Sequence, residues 1–130
     1  MPKLVLIVED SETCAETLLI ALESLPGIEL RVLPSLPAAL AAMSDRGSEV
    51  AAIVTDLNLG VSGATGQSDG FDLIRELRAE PRFARLPILL ISGDSDPMLP
   101  ERAIAQGANA FFPKPYSPSA VRKKLEQLLC

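Results

Sequence analysis

Short runs of continuous apolar residues alternate along this chain with longer stretches in which apolar residues recur every three or four positions. The runs are Leu4–Val8, Val50–Thr55 (ending on Asp56), Ile88–Ile91 and Ala110–Phe112, and the mixed segment Glu29–Leu33 reads as a further strand. Unbroken apolar sequence of that length, rich in β-branched residues, predicts strands buried on both faces. Between the runs the spacing is helical. Ser11 is placed to cap a helix carrying Ala15, Leu18, Leu22 and Leu25, which Pro26-Gly27 stops. An alanine-rich helix is expected over Leu36–Met43, closing near Gly47, and another over Phe71–Glu80 through Phe71, Ile74 and Leu77. A short helix over Pro100–Gln106 ends at Gly107, and Ser117 starts a last one striped by Val121, Leu125, Leu128 and Leu129. Five strands each followed by a helix predict an α/β domain: a five-stranded parallel sheet, doubly wound, with right-handed crossovers and helices on both faces.

Composition narrows the chemistry. The 130 residues suit one domain spanning 1–130, with no linker and no room for an output domain. There is no histidine, which excludes Ser-His-Asp and Cys-His catalysis, imidazole metal sites and a phosphohistidine of the protein's own. Twelve basic and 17 acidic residues give a formal charge of −5, the wrong sign for a nucleic-acid surface. Cys14 and Cys130 are far apart with no C-x-x-C spacing, so neither a disulfide framework nor a zinc site is expected. Cys14 reads as a helix-packing residue and Arg122-Lys123-Lys124 as the wet face of the last helix. The N-terminal apolar run is too short for a signal peptide or membrane span, which points to a cytoplasmic protein with no membrane partner. No phosphate-binding glycine motif is present.

A sheet of this kind binds ligands beyond the carboxyl ends of its strands. Those ends carry Glu9-Asp10, Asp56, Ser92 and Lys114. Two carboxylates ~4 Å apart repel by about 4 kcal/mol at an effective dielectric of 20. Three of them together call for protons or a cation, and hard oxygen ligands suit Mg²⁺. A metal with open positions, a lysine and a hydroxyl would cradle a phosphoryl group, with Asp56 as the nucleophile.

With Glu9-Asp10, Asp56, Ser92-Gly93 and Lys114-Pro115 in this order, the chain resembles a response-regulator receiver domain of two-component signalling over essentially its whole length. The resemblance implies a flavodoxin-like (βα)5 fold and phosphorelay signal transduction, with Asp56 as phosphoacceptor. It implies Mg²⁺ held by Asp10, Asp56, Glu9 through water, and the backbone carbonyl of Asn58. Ser92 and Lys114 would meet the phosphoryl oxygens, Ser92 and Phe111 would form the switch, and the Lys114-Pro115 bond would be cis. A histidine kinase or histidine phosphotransfer protein would be the donor. The recipient would be an effector protein of unknown identity or a second copy in a phosphorylation-dependent dimer. Such a domain is not an enzyme toward other substrates; it catalyses its own phosphorylation and dephosphorylation.

The sequence departs from the family pattern after the phosphoacceptor strand. Gly60 stands where a proline is usual, and Gly70, matching the glycine before the third helix, comes several residues late. The lengthened stretch, residues 60–68, is either a tolerated surface insertion or a flap beside the site. Two other classes stay open at this level. An aspartate-nucleophile phosphatase-like hydrolase resembles a D-x-D pattern, whereas this chain reads Asp56-Leu57-Asn58. A phosphorylation-independent interaction module would keep the fold without the switch.

Overall fold

The computed structural model describes residues 3–61, 67–93, 96–114 and 116–129. The expectations for Pro115 and its peptide bond, for Cys130 and for the middle of the lengthened stretch lie outside the described residues. In chain order the elements are β1 (Lys3–Val8), α1 (Glu12–Leu22), β2 (Ile28–Leu33), α2 (Leu36–Arg46), a 3₁₀ turn (Gly47–Glu49) and β3 (Val50–Asp56). Then follow β4 (Asn58–Val61), β5 (Gln67–Asp69), α3 (Gly70–Arg78), a 3₁₀ turn (Pro81–Phe83), β6 (Ile88–Ser92), α4 (Leu99–Gln106), β7 (Ala110–Pro113) and α5 (Pro118–Leu129).

Five of the strands form one parallel sheet in the order β2-β1-β3-β6-β7. The apolar runs follow from that order, because alternate residues of each strand feed different layers. Leu4, Leu6 and Val8 of β1 pack with Ile53, Ile88 and Leu90 beneath residues of α2, α3 and α4. Val5 and Ile7 turn the other way, with Val54, Leu89 and Ile91, under Leu18 and Leu22 of α1 and Val121 and Leu125 of α5. No residue between Leu4 and Val8 faces water, so no position there tolerates a polar side chain without a partner.

Helix ends follow the local chemistry. Ser11 Oγ accepts from the Cys14 amide at 3.4 Å, and Ser35 Oγ accepts from the Ala38 amide at 3.2 Å. Gly107 closes α4 at φ 116°, a left-handed conformation in which a Cβ would also press 3.0 Å from Arg78 Cγ.

The lengthened stretch is not wholly irregular. Asn58 pairs with Asp69 and Val61 with Gln67 in a short antiparallel ladder. The Gly70 amide donates to the Leu57 carbonyl at 2.8 Å, which brings the two ends of the insertion together and lets their backbones pair. Gly70 has no substitute in this seat: a Cβ would lie 2.8 Å from the Asp56 carbonyl oxygen.

Arg78, at the end of α3, ties down the opposite edge of the sheet. Its guanidinium donates to the Gly107 carbonyl at 2.7 and 3.1 Å, to the Phe83 carbonyl at 2.7 Å and to Asn109 Oδ1 at 3.1 Å. Asn109 Oδ1 in turn accepts from the Ile88 amide at 2.9 Å. Charged hydrogen bonds to part-buried acceptors are among the stronger individual terms. Arg78→Ala is expected to lower stability by about 2 kcal/mol with an unchanged denaturant slope, read by urea unfolding, and Arg78→Lys to recover less than half of it.

Candidate functional site

The hydrogen-bonded ladder of the sheet runs one residue past three strand ends, and this fixes the backbone of each site residue. The Glu9 amide donates to Leu33 O at 2.9 Å, the Leu57 amide to Ile91 O at 2.7 Å, and the Lys114 amide to Ser92 O at 2.7 Å. Strand register then decides which way the side chains point. Val5 and Ile7, Val54, and Phe112 face the α1/α5 layer. The two-residue period of a strand carries Glu9, Asp56 and Lys114 to that same side.

There the expected carboxylates meet. Ligand-capable oxygens of Glu9, Asp10 and Asp56 all lie within 4.8 Å of one another. Glu9 is 3% exposed and Asp56 6%, while Asp10 opens to solvent. Lys114 Nζ sits between the two buried acids, donating to Glu9 Oε1 at 3.3 Å and lying 3.4 Å from Asp56 Oδ1. The second Glu9 oxygen accepts from the Ser11 amide at 3.3 Å.

One ammonium does not offset this much negative charge. Burial, reinforced by Asp56, pushes the Glu9 carboxyl up to about 7 against the pull of Lys114 and the Ser11 amide. For Lys114 burial works against the charge, but the carboxylates of Asp56 and Glu9 outweigh it and raise its pKa. The donor set, three hard oxygens with one exposed member, fits a divalent cation that keeps part of its water shell.

Ser92, expected beside the acids, ends β6 with no exposed surface. By register its side chain belongs to the other layer, the one that includes Leu90. Phe111 pairs in register with Leu90 and is half-buried against that layer, whereas Phe112 packs on the opposite one. The two phenylalanines thus serve different cores. Asn58 begins β4 immediately beyond Leu57, its backbone opposite Asp69.

Cys14 was not singled out for the site. It belongs to neither core layer, contrary to the packing role expected of it. Its Sγ lies 3.9 Å from Lys114 Nζ. The signal was available: Ser11 as cap fixes Cys14 in the first turn of α1, directly after the acidic pair. Tyr116 closes the same flank, half-buried against the α1/α5 layer, and burial together with the neighbouring Cys14 raises the pKa of its hydroxyl.

The sequence profile of the response regulator receiver domain matches residues 5–126. Chemotaxis protein CheY1 of Helicobacter pylori strain J99 is 28% identical over 85 residues, 65% of this chain and 64% of that protein's length. Among solved structures, the receiver domain of NtrX from Brucella abortus superposes with a TM-score of 0.80 at 27% identity, covering 96% of this chain and 97% of that one. Chemotaxis response regulator CheY4 of Vibrio cholerae has the same fold, with a TM-score of 0.79 at 24% identity over 99% and 100% of the two chains. No helix among the described residues is long and apolar enough to cross a membrane.

The raised Glu9 pKa has a defined consequence for stability. Between about 4.5 and about 7 the folded protein holds a proton that the unfolded chain has released. The resulting stabilisation is complete below the lower value and is lost as pH rises through the upper one. In cation-free buffer, the melting temperature of the wild type relative to Glu9→Gln is expected to fall across that window. Calorimetry at several pH values checks this, and a divalent cation is expected to restore stability most strongly at the alkaline end.

Proposed function

We propose, since this chain belongs to the response regulator receiver domain family, that it works in phosphorelay signal transduction by taking a phosphoryl group onto Asp56. The observation that carries this reading is Lys114 Nζ held between Glu9 and Asp56 with Asp10 alongside. That grouping combines a nucleophile, a cation site and a fixed positive charge.

The proposed donor is a phosphohistidine on a histidine kinase or histidine phosphotransfer protein, since this chain has no histidine. An Asp56 carboxylate oxygen attacks phosphorus; the new P–O bond forms as the P–N bond to imidazole breaks, and the imidazole leaves with the electron pair. Lys114 pairs with the charge on the transferring oxygens, and the Ser92 hydroxyl donates to one of them once it turns to this side. Asp10, Asp56, Glu9 through water and the Asn58 carbonyl are the proposed Mg²⁺ ligands. The ion would supply positive charge to the phosphoryl oxygens and let the carboxylates sit close together. Water attack on the acyl phosphate returns Asp56 to its free form, so the only turnover is of the protein's own modification.

Phosphorylation places new negative charge beside Lys114, on the face toward which Ser92 turns. Ser92 moves toward it and vacates space beside Leu90, into which Phe111, its register neighbour on β7, turns. The surface of α4, β7 and α5 changes as a result, and that is the face offered to an effector protein or to a second phosphorylated copy. The proposed setting is the cytoplasm, and residues 1–130 are read as a single receiver unit.

Mg²⁺-dependent labelling by a small acyl phosphate tests the assignment. Wild type is expected to take label that Asp56→Asn does not, and Lys114→Ala to slow labelling by about 10²-fold. Equal labelling of wild type and Asp56→Asn would refute the reading.

A further inference from the structure

We propose that Cys14 is a positioning residue for Lys114, its thiol holding the ammonium in place between Glu9 and Asp56; this rests on the reading of Lys114 as the phosphoryl partner.

The Lys114 ammonium has three protons, and three groups surround it, two as hydrogen-bond acceptors and Asp56 as an ion-pair partner. Glu9 Oε1 lies at 3.3 Å, Asp56 Oδ1 at 3.4 Å and Cys14 Sγ at 3.9 Å. Two of the three are carboxylates whose charge is shared out anew when a cation or phosphoryl group arrives. The third is a sulfur on α1 that is not among the oxygens grouped as cation ligands.

Cys14 is also the fixed point of the group. Ala15, Leu18 and Leu22 bury α1 against the sheet, and the Ser11 cap holds the Cys14 amide itself. None of that anchoring uses the Cys14 side chain, which is half-exposed and spends its contact on a lysine 100 positions away in sequence. A lysine stem is long and flexible. Without an acceptor on the α1 side, the proton it would take turns to water and the ammonium swings away from the acids. A thiol is a weak acceptor, so it steadies the ammonium without holding it back when stronger phosphoryl oxygens come within reach.

Three substitutions separate an acceptor from a filler. Cys14→Ser keeps an acceptor, Cys14→Val keeps bulk without one, and Cys14→Ala keeps neither. In each, the Lys114 side-chain ¹⁵Nζ resonance of the unphosphorylated protein is recorded, together with the Mg²⁺ affinity and the rate of labelling by a small acyl phosphate. Cys14→Val and Cys14→Ala are expected to move the Lys114 resonance and slow labelling by about 5-fold, with Mg²⁺ affinity unchanged. Cys14→Ser is expected to stay close to wild type in both. A Lys114 resonance and rate unaffected by Cys14→Val would overturn the proposal, as would Cys14→Ser behaving like Cys14→Val. If wild type itself takes no label at Asp56, the phosphoacceptor reading is what fails. The Lys114 resonance then decides the role of Cys14 alone: moved by valine and restored by serine upholds it, unmoved refutes it.

Discussion

The placement of one ammonium between two buried carboxylates governs the chemistry of this fold's working edge. Glu9 and Asp56 are both almost fully covered, on adjacent strands, with Asp10 close by. Left alone, such a group would protonate or force the strand ends apart. Lys114 reaches it from β7, at the edge of the sheet, and thereby links the β1, β3 and β7 strand ends across the central sheet. The balance is incomplete: Glu9 stays hard to ionise, and the remaining deficit of positive charge is one that a divalent cation would fill.

The apolar strands make that tension affordable to the fold. Residues from Leu4 to Val8, and from Ile88 to Ile91, are buried to within one or two per cent of completely. Their ladders extend just far enough to hold Glu9, Leu57 and Lys114 by backbone hydrogen bonds before the chain turns away. Charge is thus confined to the first positions beyond a rigid, dry sheet. Small displacements of a side chain there are not absorbed by the backbone beneath it.

Much of this was legible in the residues. Continuous apolar runs bounded by caps and glycines gave the central strands β1, β3 and β6 nearly to their ends, because a strand buried on both faces leaves no other pattern. The functional side chains stood immediately after those runs, so the topology alone carried Glu9, Asp10, Asp56 and Lys114 to one edge. What the pattern did not show came from contacts that have no periodicity. The antiparallel pairing of Asn58 with Asp69 depends on the Gly70–Leu57 bond closing the insertion, and glycine-rich sequence gives no sign of a ladder. Cys14 looked like packing because its helix is amphipathic; only the three-dimensional position of Lys114 reveals what it touches. The 3₁₀ turn at Pro81–Phe83, which presents a carbonyl to Arg78, is likewise set by tertiary contact.

Arg78 also fixes where α4 ends. The helix is fastened at its last turn, where the Gly107 carbonyl takes two bonds from the guanidinium, while its first turn meets Asp96 through the Met98 amide and Arg102. That first turn lies on the same side of the sheet as Ser92. Eight residues make a rod about 12 Å long. Its first turn is held as well, by Leu99 in the core and by Arg102 lying 5.3 Å over the Phe71 ring. Met98, just before the helix, and Ile104 remain exposed on its outer side. An arginine at the far edge of the sheet, remote from every carboxylate of the site, thus fixes the last turn of the helix whose first turn packs on the Ser92 side.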